Sequence, residues 1–161
     1  MGDELQPDFA LLATREDGLW SVAPLPPAAA DDVDHLVRVL RQQPGEVGAL
    51  GLVSVAEDYF LVVRVRGDDE RFLLSDCTAA FDSPLAAQVL ERLELPMPDG
   101  DDDEDIEPAG DLDLLADLGV DTILIAELCD DLELYPDDAL GRVAAALGFG
   151  DQYDQAVDLV A

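Results

Sequence analysis

Two short apolar segments near the start of the chain predict a β-hairpin. Residues 9–14 and 19–23 are separated by a polar turn that contains Gly18, and glycine supplies the positive φ that such turns often need. Pro24 follows directly, and because proline cannot donate a hydrogen bond to a neighbouring strand, we expect it to end the second strand.

Three more apolar runs with tight polar turns predict a β-meander. They are rich in Val, Leu, Phe and Tyr and cover residues 49–55, 59–66 and 71–76. Turns this short join antiparallel strands, because a parallel crossover needs a dozen or more residues.

Two amphipathic helices complete the first part of the chain. Asp31 or Asp32 can cap the first helix, in which apolar residues recur at i, i+3, i+4 and i+7, at Val33, Leu36, Val37 and Leu40. Ser83 precedes Pro84 at the start of the second, which continues to about residue 94. The order β-β-α-β-β-β-α predicts an α+β domain over residues 8–95, with a five-stranded antiparallel sheet and two helices.

An acidic run divides the chain in two. Residues 99–107 hold seven carboxylates in nine positions, which must be solvated, so we expect residues 96–109 to be a flexible acidic linker. Beyond it, four short amphipathic segments predict a small helical bundle over residues 110–161. Helices this short are marginal alone, so they must pack on one another or on the sheet domain.

The charge of the chain restricts its partners. Its 161 residues carry a formal net charge of −30, with 38 acidic side chains against eight basic ones, all Arg. Such a polyanion repels nucleic acid and anionic membranes, so we expect direct binding to neither and a basic protein as partner. No apolar segment approaches the roughly 20 residues that span a bilayer, and we expect a cytoplasmic protein.

Three of the eight Arg residues belong to the predicted hairpin 59–76. If Arg66 pairs with Arg71 across the turn, both share a face with Arg64, opposite the apolar residues. Asp68, Asp69 and Glu70 can neutralise them internally, or a phosphate or an acidic segment can bind there, the chain's own acidic run included. The candidate partner-binding residues are Arg64, Arg66, Arg71, Asp101, Asp102, Asp103, Glu104 and Asp105.

The sequence motifs that would indicate a metal site or an enzyme are incomplete or absent. The alternating Asp residues from Asp101 imitate the start of an EF-hand loop, but Ile106 stands where that loop requires Gly and Leu112 where it requires Glu. Cys77 and Cys129 are too few and too distant for a disulfide framework or a metal site, and no phosphate loop or zinc-deaminase pattern occurs. We therefore expect no metal, no cofactor and no enzyme activity.

The chain resembles the bacterial tRNA adenosine deaminase-associated proteins over roughly residues 8–155. The resemblance is carried by the acidic run and by DYFLVVRV at 58–65, FLLSD at 72–76, SPLAA at 83–87, PAGDLDLLADLG at 108–119 and AAALGF at 144–149. It implies genomic association with the enzyme that converts the wobble adenosine of tRNA to inosine, and it supplies no catalytic residues. Separately, the element order of residues 8–95 resembles longin and profilin-like domains, whose sheets mostly serve protein contacts.

Two function classes follow. The leading hypothesis is a non-enzymatic acidic adaptor that binds a basic partner, the tRNA adenosine deaminase above all, and modulates its activity or its access to RNA. The alternative is a small-ligand sensor or scaffold that uses the longin/profilin-like sheet domain, which a discrete apolar pocket with converging polar groups would favour.

Overall fold

The computed structural model describes residues 7–43, 45–56, 58–96, 108–131 and 133–160. Within this part of the chain, a six-stranded antiparallel sheet has the strand order β2-β1-β3-β4-β5-β6. The strands are β1 (Pro7–Glu16), β2 (Leu19–Leu25), β3 (Ala49–Val55), β4 (Tyr59–Arg66), β5 (Asp69–Leu74) and β6 (Ala109–Gly110).

Helices cover both faces of this sheet. They are α1 (Val33–Arg41), α2 (Pro84–Arg92), α3 (Thr122–Asp130), α4 (Pro136–Leu147) and α5 (Gly150–Val160). The predicted α+β class is confirmed, and so is the element order through α2. The five strands predicted within residues 8–95 are present, but the sheet has six strands because the two-residue β6 from beyond residue 95 adds to its edge. None of the helices in the described ranges is long and apolar enough to cross a membrane.

The β1–β2 hairpin differs from the prediction at its second strand. Asp17 and Gly18 both have positive φ and form a two-residue turn between Glu16 and Leu19. Pro24 does not end β2 but pairs with Leu11 inside it. Proline is tolerated there because β2 lies at the edge of the sheet, where none of the other described strands pairs with its outer side.

The meander has the predicted bounds for β3 and β4, but the register of β5 differs. Arg66 pairs with Asp69, and Arg64 lies directly opposite Arg71. The prediction had paired Arg66 with Arg71, two residues away from the observed register. Because side chains alternate with a period of two, this shift leaves every side chain on its predicted face.

The first core lies between the sheet and helices α1 and α2. Asp32 caps α1 by accepting a hydrogen bond from the His35 N–H, and Ser83 caps α2 through the Ala86 N–H, as expected from sequence. The four apolar positions of α1 are all buried against Leu61, Val63, Phe72 and their neighbours on this face.

The second core lies on the opposite face of the same sheet. Helices α3, α4 and α5 pack there against sheet residues that include Leu11, Leu50, Leu52, Phe60 and Val62. The Trp20 ring packs against Phe149 at a centroid distance of 4.8 Å, which brings the start of α5 onto the outer hairpin. The C-terminal helices therefore dock on the sheet, one of the two arrangements that their shortness allowed.

Local differences occur within this C-terminal part. The first of the four predicted helices is a series of turns that ends in a 3₁₀ helix, Ala116–Leu118, closed by Gly119 in the left-handed conformation. Asp121 caps α3 as expected, whereas Asp151 lies in the first turn of α5 instead of capping it.

Strand β6 joins the C-terminal part to the sheet edge. Ala109 pairs with Leu74, and Gly110 pairs with Leu73. Gly110 has a φ of 106°, and a Cβ atom built on it would lie 2.0 Å from the Phe72 carbonyl oxygen, so only glycine fits. The division into domains 8–95 and 110–161 stays a prediction, although both parts contribute to the second core.

Candidate functional site

The three Arg residues singled out from the sequence lie around one shallow depression of about 370 Å³. They occupy the face of β4 and β5 that bears the C-terminal part of the chain, and Asp69, Asp113 and Asp117 line the same depression. The geometry therefore brings Arg64, Arg66 and Arg71 together with as many carboxylates. Their role in partner binding stays a prediction.

Arg64 is buried, with 6% of its surface exposed, and its guanidinium donates four hydrogen bonds. Its Nε donates to the Val47 carbonyl oxygen at 3.1 Å and its Nη1 donates to the Leu114 carbonyl oxygen at 2.8 Å. The Asp117 carboxylate accepts from both Nη atoms, at 2.5 and 3.0 Å. A partner would have to displace the 114–117 segment to reach this guanidinium.

Arg66 and Arg71 are more accessible. The Arg71 Nε donates to Asp69 at 3.2 Å, its Nη1 lies 4.0 Å from Asp113, and these carboxylates raise the Arg71 pKa. The hydrogen bond from Arg64 lowers the pKa of Asp117, with a smaller contribution from the positive charge of Arg66. Two like charges directly opposite on a sheet are unfavourable, and these Asp residues offset the pairing of Arg64 with Arg71.

The other five candidate residues were placed in the acidic run. Asp101, Asp102, Asp103, Glu104 and Asp105 lie outside the described residues, as does most of the predicted linker. Their proposed contact with a basic partner stays a prediction.

Sequence reasoning missed an ion-pair network on the opposite face. Glu70 accepts from Arg41 of α1 and, at 2.8 Å, from Arg92 of α2, and Arg92 also pairs with Asp34. Burial opposes ionisation of Glu70, but the hydrogen bonds from the two Arg residues outweigh it and lower the pKa. The sequence had offered Glu70 as a counter-ion for the hairpin Arg residues. Because Glu70 precedes Phe72 by two residues, side-chain alternation already placed it on the other face.

A second depression, of about 290 Å³, lies where the β3–β4 turn meets the α3–α4 connection, and we call it the acidic cleft. Its carboxylates are Asp58 from the turn, Asp76 after β5 and Asp131 after α3. Its apolar lining consists of Tyr59, Phe60, Leu128, Cys129, Leu134, Tyr135 and Pro136, and Ser75 completes it. No motif in the sequence indicated this site, because its walls come from three separate segments.

Two titrating groups that line the acidic cleft, Asp58 and Cys129, have raised pKa values. Burial, together with repulsion from Asp76 and Asp82, raises the pKa of Asp58. Burial, with a contribution from Asp130, raises the pKa of Cys129 to about 12, so its thiol is neutral and a poor nucleophile at neutral pH. The cleft therefore presents negative charge and apolar surface, and its cysteine is not activated.

The outer surface of the C-terminal helices is strongly acidic. Between residues 108 and 160 the chain has thirteen acidic side chains and one basic one, Arg142. Twelve of the thirteen acids belong to exposed residues. The acidic side chains of this part of the chain are thus exposed to solvent, on helices that pack against the sheet.

Comparisons with known proteins cover nearly all of these features. The model of the Rv3753c-like tRNA adenosine deaminase-associated proteins matches residues 8–150. Protein Rv3753c of Mycobacterium tuberculosis (strain ATCC 25618 / H37Rv) is 37% identical over 152 residues, which cover 93% of this chain and 87% of that protein. No solved structure matches the chain significantly. Since the family match spans most of the chain, including the Arg depression and the acidic cleft, the chain belongs to the Rv3753c-like tRNA adenosine deaminase-associated protein family.

Proposed function

We propose that this chain is a non-enzymatic accessory protein that binds a basic surface of a tRNA adenosine deaminase and modulates its activity or its access to RNA. The family description supports association with that enzyme. The observation that carries the proposal is the exposed carboxylate surface of the C-terminal helices, which has Arg142 as its sole basic side chain.

RNA and the accessory protein compete for the same positive charge on the enzyme. An enzyme that holds tRNA neutralises phosphates with Lys and Arg, so it presents a basic surface when RNA is absent. A protein of net charge −30 is steered toward such a surface by long-range attraction. Once the accessory protein is bound, its carboxylates form ion pairs with the Lys and Arg side chains that would otherwise contact phosphate. Binding of RNA and binding of the accessory protein therefore exclude one another.

Helix α5 provides the clearest test surface. Asp151, Asp154 and Asp158 are exposed on it, while Tyr153 and Ala156 face the second core. Acidic side chains that serve no packing role can be neutralised without loss of the fold, so changes in binding would report on the surface itself.

The experiment is a titration of the full chain into the deaminase encoded in the same genome, at about 50 and 300 mM salt. We expect binding at the lower concentration, weakening at the higher one and displacement by tRNA. Absence of a complex at low salt would overturn the proposed function, and binding that is insensitive to both salt and tRNA would overturn the electrostatic mechanism.

A matched pair of variants separates local from overall charge. The triple variant Asp151→Asn, Asp154→Asn, Asp158→Asn should lower the affinity and flatten its salt dependence, because fewer ion contacts form. The control Asp31→Asn, Glu91→Gln, Glu94→Gln removes the same charge from exposed residues beside α1 and α2. Equal effects of the two variants would contradict the assignment of the C-terminal surface as the contact.

A further inference from the structure

The acidic cleft differs from two other depressions on the described part of the chain in how its charge is balanced. Two further depressions each contain their own cations: Arg64, Arg66 and Arg71 line one, and Arg92 lines another of about 410 Å³ between α1 and α2. Asp58, Asp76 and Asp131 line the acidic cleft, and none of the described residues lining it is basic. The cleft is therefore a place where the fold supplies carboxylates without supplying their counter-charge.

One wall of the cleft also exposes an aromatic ring. Tyr135 precedes α4 and is 57% exposed, beside the half-buried Leu134. A ring at this position contributes little to either core, yet its face is suited to a cation, since Tyr attracts cations within about 6 Å of the ring centroid. Phe60 and Leu128 supply an apolar floor that can cover an aliphatic chain.

Two ligand classes fit this site poorly. A metal ion needs several ligand atoms converging on one point, and within the described residues no group of three or more acidic, His or Cys side chains is arranged to hold one. At about 290 Å³, the cleft also falls at the small end of the range for metabolite sites, roughly 300 to 1,000 Å³. A single elongated cationic side chain needs less volume and no convergent ligand set.

We propose that the acidic cleft receives an arginine side chain of the protein partner, with the guanidinium between the carboxylates of Asp58 and Asp131 and its stem along Leu134 and Tyr135. This inference rests on the proposed function for the existence of a basic partner and names the contact that anchors it. Arginine is favoured over lysine because its planar group pairs with carboxylates in a fixed geometry and stacks on aromatic rings.

The test uses a defined probe and the full chain. Acetyl-Gly-Arg-Gly-amide is titrated into the isotopically labelled protein, and backbone amide shifts are followed by NMR. We expect saturable shifts concentrated at residues of the cleft, smaller shifts with the Lys peptide and none with the peptide in which neutral citrulline replaces Arg. Shifts spread evenly over the acidic surface would overturn the proposal.

Variants localise the effect. Asp131→Asn keeps an oxygen that can accept the Glu133 N–H, and Asp58→Asn likewise changes charge without changing size. Each, and Tyr135→Ala, should weaken binding of the Arg peptide roughly threefold to fivefold. Asp31→Asn, before α1, removes the same charge from an exposed residue outside the cleft and should leave binding unchanged. An effect of Asp31→Asn equal to that of Asp131→Asn would contradict the site.

The same variants distinguish failure of the site from failure of the function. If the deaminase binds the wild-type chain and the cleft variants equally well, the cleft is not the anchor and the proposed function stands. If the peptide binds the cleft but the deaminase does not bind the chain, the cleft is a site for arginine and the proposed partner is wrong.

Discussion

Arg64 and Asp117 lie 53 positions apart in the chain and form a two-pronged ion pair that fastens the start of the C-terminal part to the sheet. The guanidinium is buried, whereas the Asp117 side chain is 56% exposed. The buried partner of this ion pair therefore belongs to β4, and the partner that faces water belongs to the C-terminal part. Two carbonyl oxygens, of Val47 and Leu114, complete the surroundings of the guanidinium.

Replacing Arg64 should destabilise the fold far more than replacing Arg66. Arg64→Ala removes the donors of two carbonyl oxygens and leaves a cavity, which we expect to cost about 2 to 4 kcal/mol. Arg66→Ala removes an exposed side chain and should cost less than about 1 kcal/mol. Urea denaturation of both variants measures the difference, and equal losses would contradict the structural role of Arg64.

Acidification should weaken the ion pair between Arg64 and Asp117. The lowered pKa of Asp117 means that the folded chain binds the proton less tightly than the unfolded chain. Its contribution is therefore present above the ordinary pKa of 3.8 and is lost as the pH falls through the folded value. Asp117→Asn should lack this component of the acid-induced loss.

Neutralising Asp58 should raise the free energy of unfolding at neutral pH, whereas loss of the Asp117 charge lowers it. Because burial, Asp76 and Asp82 raise its pKa above 3.8, the ionised carboxylate lowers stability at neutral pH, and stability returns as the pH falls. Asp58→Asn should raise the melting temperature at pH 7 by an amount worth less than about 1 kcal/mol. The gain should disappear below the unfolded pKa.

Thermal melts between about pH 3 and pH 8 measure this effect. Asp68→Asn, on the β4–β5 turn, removes the same charge outside the acidic cleft and serves as the control. A lower melting temperature for Asp58→Asn at pH 7 would contradict the repulsion inferred for the cleft.

A chain ended after residue 95 should fail to fold cooperatively. It would expose the second apolar face of the sheet, with Leu11, Leu50, Leu52, Phe60 and Val62 uncovered. At about 25 cal/mol per Å² of apolar surface, loss of such a layer exceeds the stability of most small domains. Calorimetry of this fragment tests the predicted division into domains, and a sharp transition would show that residues 8–95 are independent.

The acidic run should matter for binding and not for folding. Replacing Asp101, Asp102, Asp103, Glu104 and Asp105 with Ser and Gly reduces self-repulsion, so the melting temperature should stay the same or rise slightly. If the run contacts the basic partner, affinity for the deaminase should fall and its salt dependence should flatten. Unchanged affinity and salt dependence would make the run a spacer.

The first half of the fold was readable because its signals are local. The bounds of β3 and β4 follow from apolar runs, and the caps Asp32 and Ser83 stand beside periodic apolar positions. The second layer of helices also has a local signal in the sequence. Strand β3 is buried at every position, and an uninterrupted apolar strand indicates helices on both faces of a sheet.

The rest depended on contacts that no local pattern encodes. Strand β6 has two residues, too few for any periodicity, and the acidic cleft gathers Asp58, Asp76 and Asp131 from three segments. Three Arg residues were correctly placed on one face of the hairpin by alternation alone. That Asp113 and Asp117 would balance them required knowing where the C-terminal part docks.

The requirement for glycine at position 110 also predicts which single-base changes in the gene impair the protein. Every glycine codon changes to that of a larger residue or a stop through a single base at its first or second position, and each such residue would place a Cβ atom against the Phe72 carbonyl oxygen. A saturation screen for loss of function should therefore recover changes at this codon as often as changes in the centre of either core.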